Sequence, residues 1–115
     1  MTGDEAEAFA ADYLHSHKHI IIERNYRIPQ GEIDIISKDN NTLVFVEVKY
    51  LKSTRQYFPE EQVSPSKQKK LFKAAKSYLQ VNKYDGECRF DVLAIQGGKD
   101  KLIFDHFVDA LEFNF

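Results

Sequence analysis

A single cysteine, Cys88, is all the thiol chemistry this chain carries. One cysteine closes no internal disulfide, and without a CxxC partner it makes no zinc site. It reads as a small buried apolar residue in a reducing compartment. Proline is equally scarce: Pro29, Pro59 and Pro65 stand singly where elements would begin or end. No Pro-, Gly- or Ser-rich tract divides the chain, and no repeat or low-complexity stretch interrupts it. Long apolar runs are missing too, since residues 43–46 fall far short of the roughly 20 that a bilayer-spanning helix needs. The opening Met1-Thr2-Gly3-Asp4-Glu5 lacks the basic and apolar regions of a signal peptide. These absences lead us to expect one domain over 1–115, cytoplasmic and with no membrane partner. There is no excess of positive charge either. Sixteen Lys+Arg stand against 18 Asp+Glu, a formal charge of -2, so any hold on a polyanion must come from local charge.

What is present is an ordinary core. With 115 residues, 43% of them hydrophobic and 30% charged, the chain can bury roughly two thirds of its unfolded surface. Disordered and collagen-like classes are excluded. Thr2 and Glu5 have capping-box spacing, and Ala6, Phe9, Ala10, Tyr13 and Leu14 follow as a helical stripe that fades in the histidine-rich segment 15–19. A β-branched run starts at Ile20, continues to Ile28 and stops at Pro29-Gln30-Gly31. Residues 32–37 and 43–50 read as two strands, joined either by Asn40-Asn41, a pair suited to positive φ, or by the four residues 39–42. Both loops give the same register. Ile33 then faces Val48, Ile35 faces Val46 and Ser37 faces Val44; on the other side Glu32 faces Lys49, Asp34 faces Glu47 and Ile36 faces Phe45. A slip by one residue would mix the two sets.

Residues 53–60 read as a loop, after which Ser64-Pro65 supplies an N-cap and a first-turn proline. The helix that follows has a buried stripe of Leu71, Ala74, Ala75, Tyr78 and Leu79. Lys67, Lys69, Lys70, Lys73 and Lys76 make it the most basic segment of the chain. A turn over 82–86, a strand over 88–95, a turn over 97–100 and a strand over 102–107 complete the order α-β-β-β-α-β-β.

Two carboxylates directly opposite on neighbouring strands have Cβ atoms about 5 Å apart. Asp34 and Glu47 in that position repel by several kcal/mol at an effective dielectric of about 20. A hard divalent cation between them, Mg²⁺ or Mn²⁺, reverses the sign. Lys49, two residues beyond Glu47 on the same face, is placed to meet an attacking water or a phosphate. Phosphodiester hydrolysis needs that inventory. Spacing alone leaves open a plain solvated hairpin face with Glu32 and Lys49 as a cross-strand ion pair. Against it, Ile36, Leu43 and Phe45 share the charged face while the opposite face is apolar. Both faces should therefore be covered and the carboxylates partly buried, which is costly without a partner. Elsewhere, Asp91 beside Arg89 reads as a structural ion pair. His15, His17 and His19 have poor ligand geometry. Arg24 and Arg27 suit either a DNA groove or an exposed edge strand.

The motifs Thr2-Gly3-Asp4 with Glu7, Asn25-Tyr26-Arg27, Gly31-Glu32-Ile33-Asp34-Ile35-Ile36, Val44-Phe45-Val46-Glu47-Val48-Lys49, Val63-x-x-x-Lys67 and Cys88-Arg89-Phe90-Asp91-Val92 resemble, in order, those of the YraN-like family of small bacterial proteins. That family is similar to the PD-(D/E)XK nucleases and to Holliday-junction resolvases. The resemblance implies an α/β fold with a restriction-endonuclease-like αβββαβ core, its mixed sheet flanked by helices. It implies a metal-dependent endonuclease acting on DNA, branched or flapped, with RNA a weaker possibility. In that reading Asp34 and Glu47 hold Mg²⁺ or Mn²⁺ and Lys49 is the motif lysine, with Ile33 standing where the superfamily name has proline. Glu7 matches the helix glutamate that completes the site, and Glu5, on the Phe9–Tyr13 line, competes for that role. Glu32 is an accessory candidate. Lys67 matches a family lysine or is a solvated helix residue. Lys67, Lys69, Lys70, Lys73, Lys76 and Arg27 are the nucleic-acid contacts. The alternative function is a non-catalytic nucleic-acid-binding or scaffolding protein that keeps the fold, and a homodimer is compatible with either.

Overall fold

Each expected element forms, and mostly for the expected reason. In the computed structural model, which describes residues 1–51, 63–97 and 101–112, the Thr2 hydroxyl accepts the Glu5 N–H at 3.1 Å while Glu5 Oε1 accepts the Thr2 N–H at 3.0 Å. From this capping box helix α1 runs over Gly3–Ser16. Strands β1 (Ile20–Ile28), β2 (Gly31–Asp39) and β3 (Thr42–Leu51) follow, then helix α2 (Pro65–Val81) and strands β4 (Cys88–Gly97) and β5 (Leu102–Leu111). The Ser64 hydroxyl caps α2 by accepting the Lys67 N–H at 3.2 Å. The loop expected over 53–60, and most of the turn over 97–100, lie outside the described residues.

The five strands form one sheet in sequence order. β1–β2, β2–β3 and β4–β5 are antiparallel, whereas β3 and β4 are parallel and joined through α2, because a parallel pair needs a long crossover. The mixed sheet and the order α-β-β-β-α-β match the restriction-endonuclease-like core expected from the sequence. β5 extends that core at one edge, and its ladder continues to Leu111 rather than stopping at Phe107.

α1 lies on one face of the sheet, where Ala6, Ala10 and Leu14 pack on Ile35, Val44, Val46, Leu93 and Ile95. α2 covers the other, where Leu71, Ala74, Ala75 and Tyr78 meet Ile33, Ile36, Phe45, Phe90 and Val92. Phe9, expected in the helix stripe, points outward and is 40% exposed. Cys88 is half-buried at the edge of the α2 cluster rather than fully enclosed. At the start of β2 a Cβ on Gly31 would overlap the Lys70 carbonyl, so glycine is what lets α2 dock this close. No helix among the described residues is long and apolar enough to cross a membrane.

The β2–β3 hairpin has the expected register from Asp39/Thr42 to Ile35/Val46. Of the two turn residues Asn40 takes the positive φ, 54°, and Asn41 does not. Beyond Ile35 the expected pairs Ile33–Val48, Asp34–Glu47 and Glu32–Lys49 do not continue the ladder. The Val48 N–H instead donates to Asp34 Oδ2 at 2.8 Å, because an ionised acceptor outcompetes a carbonyl. The strands part there. Ile33 accordingly packs with the α2 cluster while Ile35 packs with the α1 cluster, which corrects the single unbroken apolar face.

On the α1 side, alternating with Phe90 and Val92, Asp91 is the hub of a buried polar network. It accepts from Arg89 Nε at 2.9 Å, His106 Nε2 at 2.7 Å and the Asp109 N–H at 2.9 Å. Arg89 reaches Asp39 at 3.1 Å, and His19 Nδ1 meets the Ser37 hydroxyl at 2.9 Å. Burial alone would raise the Asp91 pKa, but these donors outweigh it and hold the group below its ordinary value. Asp91 is thus the structural ion-pair residue the sequence suggests.

Candidate active site

The candidate residues gather where β2 and β3 cease to pair, beyond Ile35 and Val46. Asp34, half-buried, sits at the fork with one oxygen on the Val48 N–H. Glu47 follows Val46, the last residue of β3 paired with β2, stays paired with Val92 of β4 and is 2% exposed. Burial raises the Asp34 pKa against the bond from Val48 and the charge of Lys67. Burial first, and then the charge of Asp34, push Glu47 up to about 7 despite Lys67 and Lys49. The two carboxyls behave as a pair that holds a proton near neutrality.

Lys67, from the first turns of α2, puts Nζ 2.9 Å from Glu47 Oε1. The contact is a close ion pair in which Lys67, its side chain 43% exposed, compensates the buried carboxylate while still reaching solvent. Burial lowers its pKa, but contact with Glu47 raises it more. Lys49 is half-buried beside the same groups, and burial and the neighbouring Lys67 charge lower its pKa. Asp34, Glu47, Lys49 and Lys67 thus come together in one cluster.

Glu7 reaches the cluster from α1. Burial and then the charge of Asp34 raise its pKa, with Arg24 opposing. Glu5 is committed to the helix cap and exposed, so of the two candidates Glu7 is the one facing Asp34. Asn25 lies against it: with the amide oriented so that its nitrogen faces the carboxylate, as the acceptor-only surroundings require, it donates to Glu7 Oε1 at 2.8 Å and to Oε2 at 3.3 Å. Asn25 does so from a left-handed backbone, φ 56°, inside β1, a conformation that asparagine tolerates and β-branched residues do not. Sequence reasoning assigned Asn25 no role. The available signal was an asparagine interrupting a strand that is otherwise rich in β-branched residues.

The remaining candidates lie farther out. Glu32 pairs with Arg27 at 3.1 Å instead of with Lys49, because the two are cross-strand neighbours in the β1–β2 ladder. Lys69, Lys70, Lys73 and Lys76 are exposed on α2. His19 is buried on Ser37 and His17 stacks on Tyr13, and among the described residues no three His, Cys, Asp or Glu side chains converge on one point. Two carboxylates without a histidine or cysteine beside them do not suit a closed zinc site. They fit a hard cation that keeps most of its ligands as water or substrate oxygen, as Mg²⁺ and Mn²⁺ do.

Comparison with known proteins identifies the family. The model of uncharacterised protein family UPF0102 matches residues 6–95, a span that includes Glu7, Asn25, Asp34, Glu47, Lys49 and Lys67. A UPF0102 protein of Chlorobium phaeobacteroides is 47% identical over 97% of this chain and 94% of its own length. One from Chromohalobacter salexigens is 39% identical over 96% of this chain and 89% of its own. Another, from Francisella tularensis subsp. novicida, is 46% identical over 81% of this chain and 82% of its own. With the model and near-full-length relatives in agreement, the chain belongs to family UPF0102, the YraN-like family that its motifs resemble.

Proposed function

We propose that this protein is a divalent-cation-dependent endonuclease that hydrolyses DNA phosphodiester bonds. The observation that carries the reading is the convergence of the buried Glu47 with Asp34, Lys49 and Lys67 at one fork of the sheet. Stability alone would not retain such a cluster. Asp34 and Glu47 would hold Mg²⁺ or Mn²⁺, which when bound supplies charge to the phosphate oxygens and acidifies water. Lys49 has a depressed pKa, which suits an amine that orients a water and takes part in its deprotonation. Lys67 neutralises Glu47 in the resting protein and is near enough to meet a phosphate oxygen. Glu7, held by Asn25, supplies a further carboxylate beside Asp34 with which to orient water.

The test is nicking of linear, flapped and four-way DNA in Mg²⁺, Mn²⁺ or EDTA, with wild type beside Asp34→Ala. Cleavage by the wild type in metal only, lost in the variant, is the expected result. No cleavage of any substrate by the wild type in either metal overturns the proposal and leaves a binding protein on a nuclease fold.

A further inference from the structure

Asp34 and Glu47 bring two negative charges to the fork, and Lys49 and Lys67 bring two positive ones. Glu7, from α1, has its own partners in Asn25 and the charge of Arg24. Among the described residues the four groups therefore balance without any added ion. A divalent cation held by the two carboxylates would leave two positive charges in excess in a half-buried cluster, where like charges repel more strongly than in water. One ammonium has to give way. Lys67 is the one placed to leave. Its Nζ lies 2.9 Å from Glu47 Oε1, yet its side chain is 43% exposed while that of Glu47 is 3% exposed. Lys67 also lines a cleft of about 480 Å³ between the β1–β2 turn and the start of α2, which Lys49 does not. An ammonium released from Glu47 thus has open space to enter by rotation of its own side chain.

We infer that Lys67 is a built-in competitor for the metal: it neutralises Glu47 in the metal-free protein and swings into the cleft when a divalent cation takes its place. The inference rests on the nuclease reading and concerns how that site is loaded. Lys67 then opposes metal binding instead of assisting it, and the opposition is reciprocal, since whatever frees the lysine tightens the metal. The apparent affinity is the intrinsic one reduced by the fraction of molecules whose Lys67 is out, so a lysine paired in about nine molecules of ten weakens binding about tenfold. Truncating the lysine removes that penalty. The same truncation costs the metal-free fold the partner of a buried carboxylate. Tighter metal binding and a less stable metal-free protein are therefore expected together.

Calorimetry with Mn²⁺ and no DNA tests this apart from cleavage, on wild type, Lys67→Met and Lys70→Met. Lys70 is exposed and lines the same cleft, so its variant controls for the loss of a nearby charge. Lys67→Met should bind Mn²⁺ about tenfold tighter than wild type, and Lys70→Met as wild type does. The gain should persist in about 1 M KCl, where exposed charges more than about 3 Å apart are screened. A second reading needs no Lys67 variant. In wild type labelled with ¹³C at the lysine Cε, the Lys67 signal should move on saturation with Mg²⁺ toward the position it takes in metal-free Glu47→Gln. Unchanged or weaker affinity in a folded Lys67→Met, a gain that salt abolishes, or a Lys67 signal that stays put at Mg²⁺ saturation overturns the inference. If wild type still binds Mn²⁺ and cleaves DNA in it, the nuclease reading stands without the competitor. No heat from any of the three proteins removes the metal site itself, and the nuclease reading with it.

Discussion

Glu47 is the residue at which the fold gives up stability. Its folded pKa of about 7 lies above the ordinary 4.5, so the folded chain binds that proton more tightly than the unfolded one. Its contribution is therefore most favourable below the unfolded value and is lost as pH rises through the folded one. The difference amounts to about 3 kcal/mol. Glu47→Gln keeps the shape and removes the titration. Its metal-free melting temperature should vary less than that of the wild type between about pH 5 and pH 8, and should exceed it at the upper end. A wild-type melting temperature that gains on the variant through that interval contradicts the burial of Glu47 as a charge. Asn25 acts through a neighbour. Asn25→Gly preserves the left-handed backbone and deletes the amide, so the fold should hold while cleavage drops on the order of tenfold to a hundredfold. The acid limb of the rate profile should also move to higher pH, since the Glu7 carboxylate loses a donor. An unchanged pH profile would mean that Glu7 does not need to be held.

At the level of elements, α2 divides its lysines by side. Lys67 is drawn to Glu47, whereas Lys69, Lys73 and Lys76 are exposed and lie along one flank by helical periodicity. Replacing those three by glutamine should lower the slope of log K against log salt by up to about three units while leaving preference among DNA structures intact. A slope that does not move would take this flank out of the interface. The elements themselves were readable because local signals agreed with tertiary needs: a capping box and an alanine stripe for α1, a cap with proline for α2, and alternation with an Asn-Asn turn for the hairpin. The candidate carboxylates were readable for the same reason, since both lie on that hairpin. What could not be read was where its ladder ends. Alternation carries on through Asp34 and Glu47, and nothing in the spacing shows that a side-chain carboxylate captures the Val48 N–H and parts the strands. The Lys67–Glu47 pair and the hold of Asn25 on Glu7 were hidden for a related reason. They depend on how helices and an edge strand dock, not on any repeat within them.

For the whole molecule, the two helices bring groups from opposite faces of the sheet to one fork, Glu7 with α1 and Lys67 with α2. A cation bound by Asp34 and Glu47 at that fork would stabilise the native state alone. Mn²⁺ should raise the melting temperature of the wild type by several degrees and leave Glu47→Ala unmoved, with calorimetry giving the matching presence and absence of heat. Equal shifts in both proteins would place the metal elsewhere.

The parallel pairing of β3 with β4 also sets the order in which the chain can assemble. A hairpin closed by two residues forms in about 1–10 μs, but β4 cannot join until the whole crossover has been laid down. A hairpin zipped to Ile35 and Val46 would bring the adjoining Asp34 and Glu47 near each other before any lysine of α2 docks. Docking of the helix then brings Lys67 to a pair of carboxylates already waiting, and the attraction acts on the barrier rather than only on the finished fold. Lys67→Met should accordingly slow refolding more than it speeds unfolding in a stopped-flow chevron above about pH 7, and acid should shrink the difference. The charges of the candidate site would then also pace the folding of the domain that contains it.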